Sequence, residues 1–112
     1  MLLETHPGPL VIPILTITEV SYLLATRIGA QAEVRFLGDV AGGSFAVEPV
    51  RARDWLRVSE LVWQYRDLPL GTVDASIVAA AERLGISALA TLDRRHFTVV
   101  QPAHIPAFTL VP

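Results

Sequence analysis

What most restricts the folds open to this chain is an alternation: short apolar runs of strand length, separated by longer segments of helical period. "PLVIPIL" reads as a strand near Leu10 to Ile12, stopped by Pro13. "SFAVEPV", "ISALATL" and "AFTLV" are further strand candidates, and "FTVV" is a late short one. Between the first two, "TITEVSYLLATRIG" carries Ile17, Val20, Leu24 and Ile28 at helical intervals. Thr16 and Glu19 stand at capping-box spacing at its start, and Gly29 is its stop. A second helix is expected from about Ala30 to Val40, ending at Gly42-Gly43. The third is "ARDWLRVSELVWQYRD", with Trp55, Val58, Val62 and Tyr65 as packing residues. Thr72 is placed as N-cap of the fourth, "VDASIVAAAERLG", which ends at Gly85; "RRHF" is a helical turn or loop.

Such alternation indicates α/β architecture with a mostly parallel sheet, in which ligands bind beyond the carboxyl ends of the strands. At 112 residues the chain is read as a single domain, and a hydrophobic fraction of 52% argues for a buried core rather than disorder. No apolar run approaches the ~20 residues that cross a bilayer. The opening "MLLETHPGPL" has no basic segment of a secretory signal, so a cytoplasmic protein without a membrane is expected.

Two absences narrow the chemistry. Without cysteine there is no disulfide, thiolate metal site or cysteine nucleophile. All nine basic residues are arginine, which excludes Schiff-base chemistry and a phosphate-loop lysine. With a net charge of −2, a polyanion would have to be held by local arginines or by metal ions.

Three of the eleven acids stand apart from those that suit a solvated face. Glu19 lies close to the apolar stripe of the first helix. Asp74 lies in the first turn of its helix, above Ile77, Val78 and Ala81 at helical spacing, and Asp93 ends the strand "ISALATL". Each has a plain structural reading as well: Glu19 closing a capping box, Asp74 complementing a helix dipole, Asp93 opening a turn. Together they suggest carboxylates at the edge of a core, where solvation is lost unless a cation meets them. A hard divalent ion with oxygen ligands, Mg2+ or Mn2+, meets that need.

The segments "TEVSYLLATRIG", "LPLGTVDASIVAAAERLG" and "LATLDRRHF" resemble PIN-domain ribonucleases, specifically VapC-type toxins of toxin–antitoxin pairs, in order and spacing from about Pro9 to Pro112. The resemblance implies a PIN-like three-layer α/β/α fold and a Mg2+-dependent endoribonuclease in which Glu19, Asp74 and Asp93 are catalytic metal ligands. It also implies supporting positions for Thr72 and Thr91, phosphate contacts from Arg94 and Arg95, an RNA substrate, a VapB-type antitoxin partner and a homodimer. His96 is read as packing beside Phe97, and His6 and His104 receive no role. Trp55, Trp63 and Tyr65 are read as core or dimer-interface residues.

The chain also departs from the family pattern. PIN domains open with a central strand carrying the first acid in a "DTS"-like motif, and no such motif precedes Leu10. "LLETHPG" instead resembles the tail of the helix before the family's second strand, so the domain is expected to be N-terminally incomplete. The strands near Val11 and Leu89 would then keep unpaired backbone groups or close on each other. Three explanations are an internal methionine taken for the start (the preferred one), a truncated copy, and a strand supplied by a partner. The alternative function is a catalytically impaired PIN domain that only binds antitoxin.

Overall fold

Leu2–Glu4, expected to belong to the tail of a helix, is a strand at the centre of the sheet. The computed structural model describes residues 2–4, 10–68, 70–90 and 95–111, with side chains for 10–68, 70–90 and 97–110. In chain order the elements are β1 (Leu2–Glu4), β2 (Leu10–Pro13), α1 (Ile14–Arg27), α2 (Ala30–Ala41), β3 (Ala46–Glu48) and α3 (Ala52–Gln64). They continue with α4 (Thr72–Leu84), β4 (Ala88–Ala90), α5 (Arg95–Val99) and β5 (Thr109–Val111).

The sheet order is β3-β2-β1-β4-β5. β2 pairs with β3, and β4 with β5, in parallel. β1 runs antiparallel to both neighbours, with Leu3 opposite Val11 on one side and Leu89 on the other. Four strands therefore point one way, and the chain's own first residues fill the middle position in reverse. β2 and β4 neither close on each other nor face an empty slot; both complete their ladders on β1, as buried backbone groups require.

The core lies where α4 packs against the sheet. Ala75, Ile77, Val78 and Ala81 are fully buried in it together with Leu89, and Leu61, Phe97, Val100 and Phe108 join them. Alanine supplies four of the seven buried residues of α4, Ala75, Ala79, Ala80 and Ala81. Gly85 ends it with φ 68°, a left-handed conformation that costs a Cβ-bearing residue energy. Gly29, with φ 141°, likewise lets α1 turn into α2, and Ser21 donates to Glu33 Oε2 at 2.5 Å to hold that hairpin.

Several local expectations change. α1 begins at Ile14, three residues earlier than the capping-box spacing suggests, directly from β2. Thr16 thus lies inside its first turn and donates its hydroxyl to Pro13 O at 2.6 Å. α4 begins with Thr72 itself, after Gly71 at the cap position. "FTVV" is not a strand: Phe97–Val99 are helical in α5, where Phe97 reaches Phe108 edge-on at 6.5 Å between ring centroids. On α3 the packing residues are Val58 and Leu61, with Tyr65 beside them, whereas Trp55 and Val62 face outward. The inward stripe runs through Asp54, which sequence alone would place in solvent.

Candidate active site at the carboxyl edge of the sheet

α1 leaves the carboxyl end of β2. α4 runs back to the start of β4, so its own start lies at the opposite, carboxyl edge of the parallel strands. That edge is also where β4 ends, at Ala90. The first half of α1, the first turn of α4 and the exit of β4 therefore share one end of the sheet. α1 and α4 pack on each other and on β2.

Glu19 occupies the second turn of α1 and Asp74 the first turn of α4, and both are half-buried. Neither stands without an interaction partner. Thr72 opens α4 and is exposed. Arg95 is the first residue of α5, with its backbone alone described. Thr91, Asp93 and Arg94 lie outside the described residues.

The donors at this edge are carboxylate and hydroxyl oxygens, the hard set that suits Mg2+ or Mn2+ rather than a thiophilic ion. Among the described residues no group of three His, Cys, Asp or Glu side chains is close enough to hold a metal. An ion held by Glu19 and Asp74 would take any third carboxylate from outside the described residues, where Asp93 lies in the sequence. β1 does not supply one. Its acid, Glu4, pairs with Ala88 and Leu10, at the starts of β4 and β2, and so belongs to the far edge of the sheet.

The charged cluster that sequence reading missed lies at the other end of α4. Arg83 meets Asp54 and Glu48, with Nη1 2.8 Å from Glu48 Oε1. Arg57 grips Glu82 through Nε at 2.7 Å and Nη2 at 2.9 Å, and reaches Glu60 at 3.1 Å. Glu82 also accepts from the Ala103 N–H at 2.7 Å. Asp54, Arg57, Glu82 and Arg83 line a groove of about 370 Å³ with Arg53 and Ala79. Burial opposes the charged forms of Asp54 and Glu82, but the guanidiniums of Arg83 and Arg57 and the donated N–H groups hold both carboxyls below their ordinary values. Acids and bases satisfy one another here, some 12 Å along the helix from Asp74 at 1.5 Å per residue, so the groove is a structural clasp. Its sequence signal was the spacing Asp54, Val58, Leu61, which puts the acid on the buried face of α3.

The PIN domain family profile matches residues 2–101. The chain belongs to the PIN-domain family. It is also 33% identical over 110 residues to Ribonuclease VapC26 of Mycobacterium tuberculosis (strain ATCC 25618 / H37Rv), a match covering 98% of this chain and 82% of that protein. Within the PIN family it is therefore of the VapC ribonuclease type. Seen as a PIN domain, the chain keeps the edge that gathers α1, α4 and the exit of β4. It differs at the central strand, which runs in reverse and carries no acid to that edge.

Proposed function

We propose that this chain is a Mg2+-dependent endoribonuclease (Mn2+ serving as well), the toxin of a VapBC-type toxin–antitoxin pair. The observation that carries this reading is the convergence of the half of α1 bearing Glu19, the turn of α4 bearing Asp74 and the exit of β4 on one sheet edge, in a chain of VapC type. Glu19, Asp74 and Asp93 are the residues that hold the ion. When bound, a divalent ion supplies a water of lowered pKa and offsets charge on the leaving oxygen. Arg94 and Arg95 take the RNA phosphate, for which the guanidinium fork is suited. The hydroxyls of Thr72 and Thr91 orient the carboxylates. At a net charge of −2 the chain has no general attraction for RNA, so these local groups carry substrate binding.

The partners in this reading are the RNA substrate, a VapB-type antitoxin and a second copy of the chain, in the cytoplasm. No helix among the described residues is long and apolar enough to cross a membrane. Ile28, Val34 and Leu37 on the α1–α2 hairpin are exposed apolar side chains open to the antitoxin.

A second reading, a PIN domain that binds antitoxin without cutting RNA, draws on the reversed central strand and the position of Glu4 at the far edge. One assay separates the two. RNA incubated with Mg2+ is cleaved by the wild-type chain, and cleavage is abolished by EDTA and by Asp74→Asn. Antitoxin binding without metal-dependent cleavage favours the second reading. Cleavage indifferent to both EDTA and Asp74→Asn overturns the first.

A further inference from the structure

The outward face of α3 is apolar in a symmetric way. Trp55, Leu56, Val62 and Trp63 are 48%, 70%, 36% and 68% exposed. In "WLRVSELVW" the two tryptophans stand four residues either side of Ser59, and Leu56 and Val62 stand three residues either side. Spacings of three and four put all five on one helix face, and Ser59 is itself exposed.

We propose that two copies of this chain form a two-fold dimer through α3, the helices crossing antiparallel at Ser59. This rests on the homodimer named above and adds the surface that forms it. In an isologous interface residue i meets j and j meets i. A two-fold axis at Ser59 relates each position before it to the position equally far after it. Trp55 and Leu56 of one copy then lie level with Trp63 and Val62 of the other, so every large apolar side chain has an apolar partner. Ser59 stands at the crossing, where a small side chain lets helices approach toward the ~8 Å end of their packing range.

The charges fit the same arrangement. Arg57 and Glu60 are paired with each other on the flank, leaving the centre of the seam uncharged. Arg51 and Asp67 stand eight residues either side of Ser59 and come to the same end of the seam from opposite copies. Arg66 lies over the Trp63 ring at 4.1 Å, which holds the indole in place before association and reduces its ordering cost. Four large side chains exposed to this extent present roughly 400–500 Å² of apolar surface per copy, since an aromatic side chain buries about 150–250 Å². Doubled over two copies and joined by neighbouring polar atoms, this reaches the roughly 1,000 Å² that a specific interface needs. The α1–α2 patch has no such symmetry, which fits it to a partner of different sequence.

Charge reversal at the axis tests the arrangement. Wild type, Ser59→Glu and Ser59→Arg are compared by sedimentation, with folding checked by urea midpoint. Wild type is dimeric at micromolar concentration. Each variant alone brings like charges together across the axis and weakens the dimer at least about tenfold. An equimolar mixture of the two variants restores it. Leu56→Glu mixed with Val62→Arg reads the same relation away from the axis and is rescued likewise. A monomeric wild type overturns both the homodimer and this seam. A dimer indifferent to Ser59→Glu, or a mixture that stays monomeric, overturns the seam and leaves the homodimer standing.

Discussion

Arg83 on α4 donates through Nε to both carboxylate oxygens of Asp54 on α3, at 3.0 and 3.1 Å, and its Nη2 lies 3.0 Å from Oδ2. Asp54 is nearly shielded from water, with a side chain 6% exposed, and its Oδ2 also accepts from the Arg51 N–H at 2.9 Å. The pair joins the start of one helix to the end of the next. Replacing Arg83 by methionine keeps the apolar stem but leaves the buried Asp54 carboxylate without its guanidinium partner, which costs about 3 kcal/mol. The double variant Asp54→Asn/Arg83→Met is expected to lose less than the sum of the single losses, because the orphaned charge is gone. Urea unfolding of the three variants measures this directly.

The same carboxylates set the acid limit of stability. Asp54 and Glu82 are held below their ordinary values of 3.8 and 4.5 in the folded chain. A group whose folded pKa is depressed contributes stability that is full above its unfolded value and lost as pH falls through the folded one. The urea midpoint should therefore be steady from neutral pH down to about 5 and fall progressively below about 4.5. Arg83→Met should show a shallower acid loss, having already forfeited part of the contribution.

β1 is central, so its backbone is required on both sides. Leu3 faces Val11 and Leu89, and a proline there removes a ladder donor from a strand that has no free edge. Leu3→Pro is expected to cost ~3 kcal/mol or more in urea unfolding. A stability loss under 1 kcal/mol would mean that β2 and β4 do not depend on this strand.

Two glycines separate backbone conformation from space. No atom lies within 4 Å of a Cβ built on Gly85 or on Gly38, so neither substitution clashes. Gly85 has φ 68°, and Gly85→Ala should destabilise by about 1 kcal/mol. Gly38 lies inside α2, and Gly38→Ala should stabilise by about 0.5–1 kcal/mol.

Local periodicity carried most of the fold. The helices around Leu61 and Ile77 were legible because each buries residues at intervals of three and four, and those around Leu24 and Phe36 because half-buried residues recur at that spacing. The strand at Leu89 was legible because a short apolar run is followed in the sequence by charged residues. What periodicity could not carry was direction and pairing: Leu2–Glu4 is too short to show a period, and its place in the sheet is fixed by the unpaired backbones of β2 and β4. Helix starts also escaped, since Pro13 opens α1 without a capping side chain and Thr16 and Thr72 fall just inside their helices. Asp54 and Glu82 were taken for solvated acids because their partners, Arg83 and Arg57, are 29 and 25 residues away. For the site, sequence singled out Glu19 and Asp74, and the topology brings the segments that carry them to one edge.

The central claim is that Glu19, Asp74 and Asp93 share one divalent ion at that edge. Binding of Mn2+ to the chain alone, followed by electron paramagnetic resonance, tests it without reference to RNA. A wild-type chain that binds Mn2+ competitively with Mg2+, and that loses at least about tenfold in affinity in each of Glu19→Gln, Asp74→Asn and Asp93→Asn, is the result predicted, each lost ligand being worth more than 1.4 kcal/mol. Affinity unchanged in any one of the three would contradict the shared site, and no Mn2+ binding by the folded wild-type chain would contradict the metal itself.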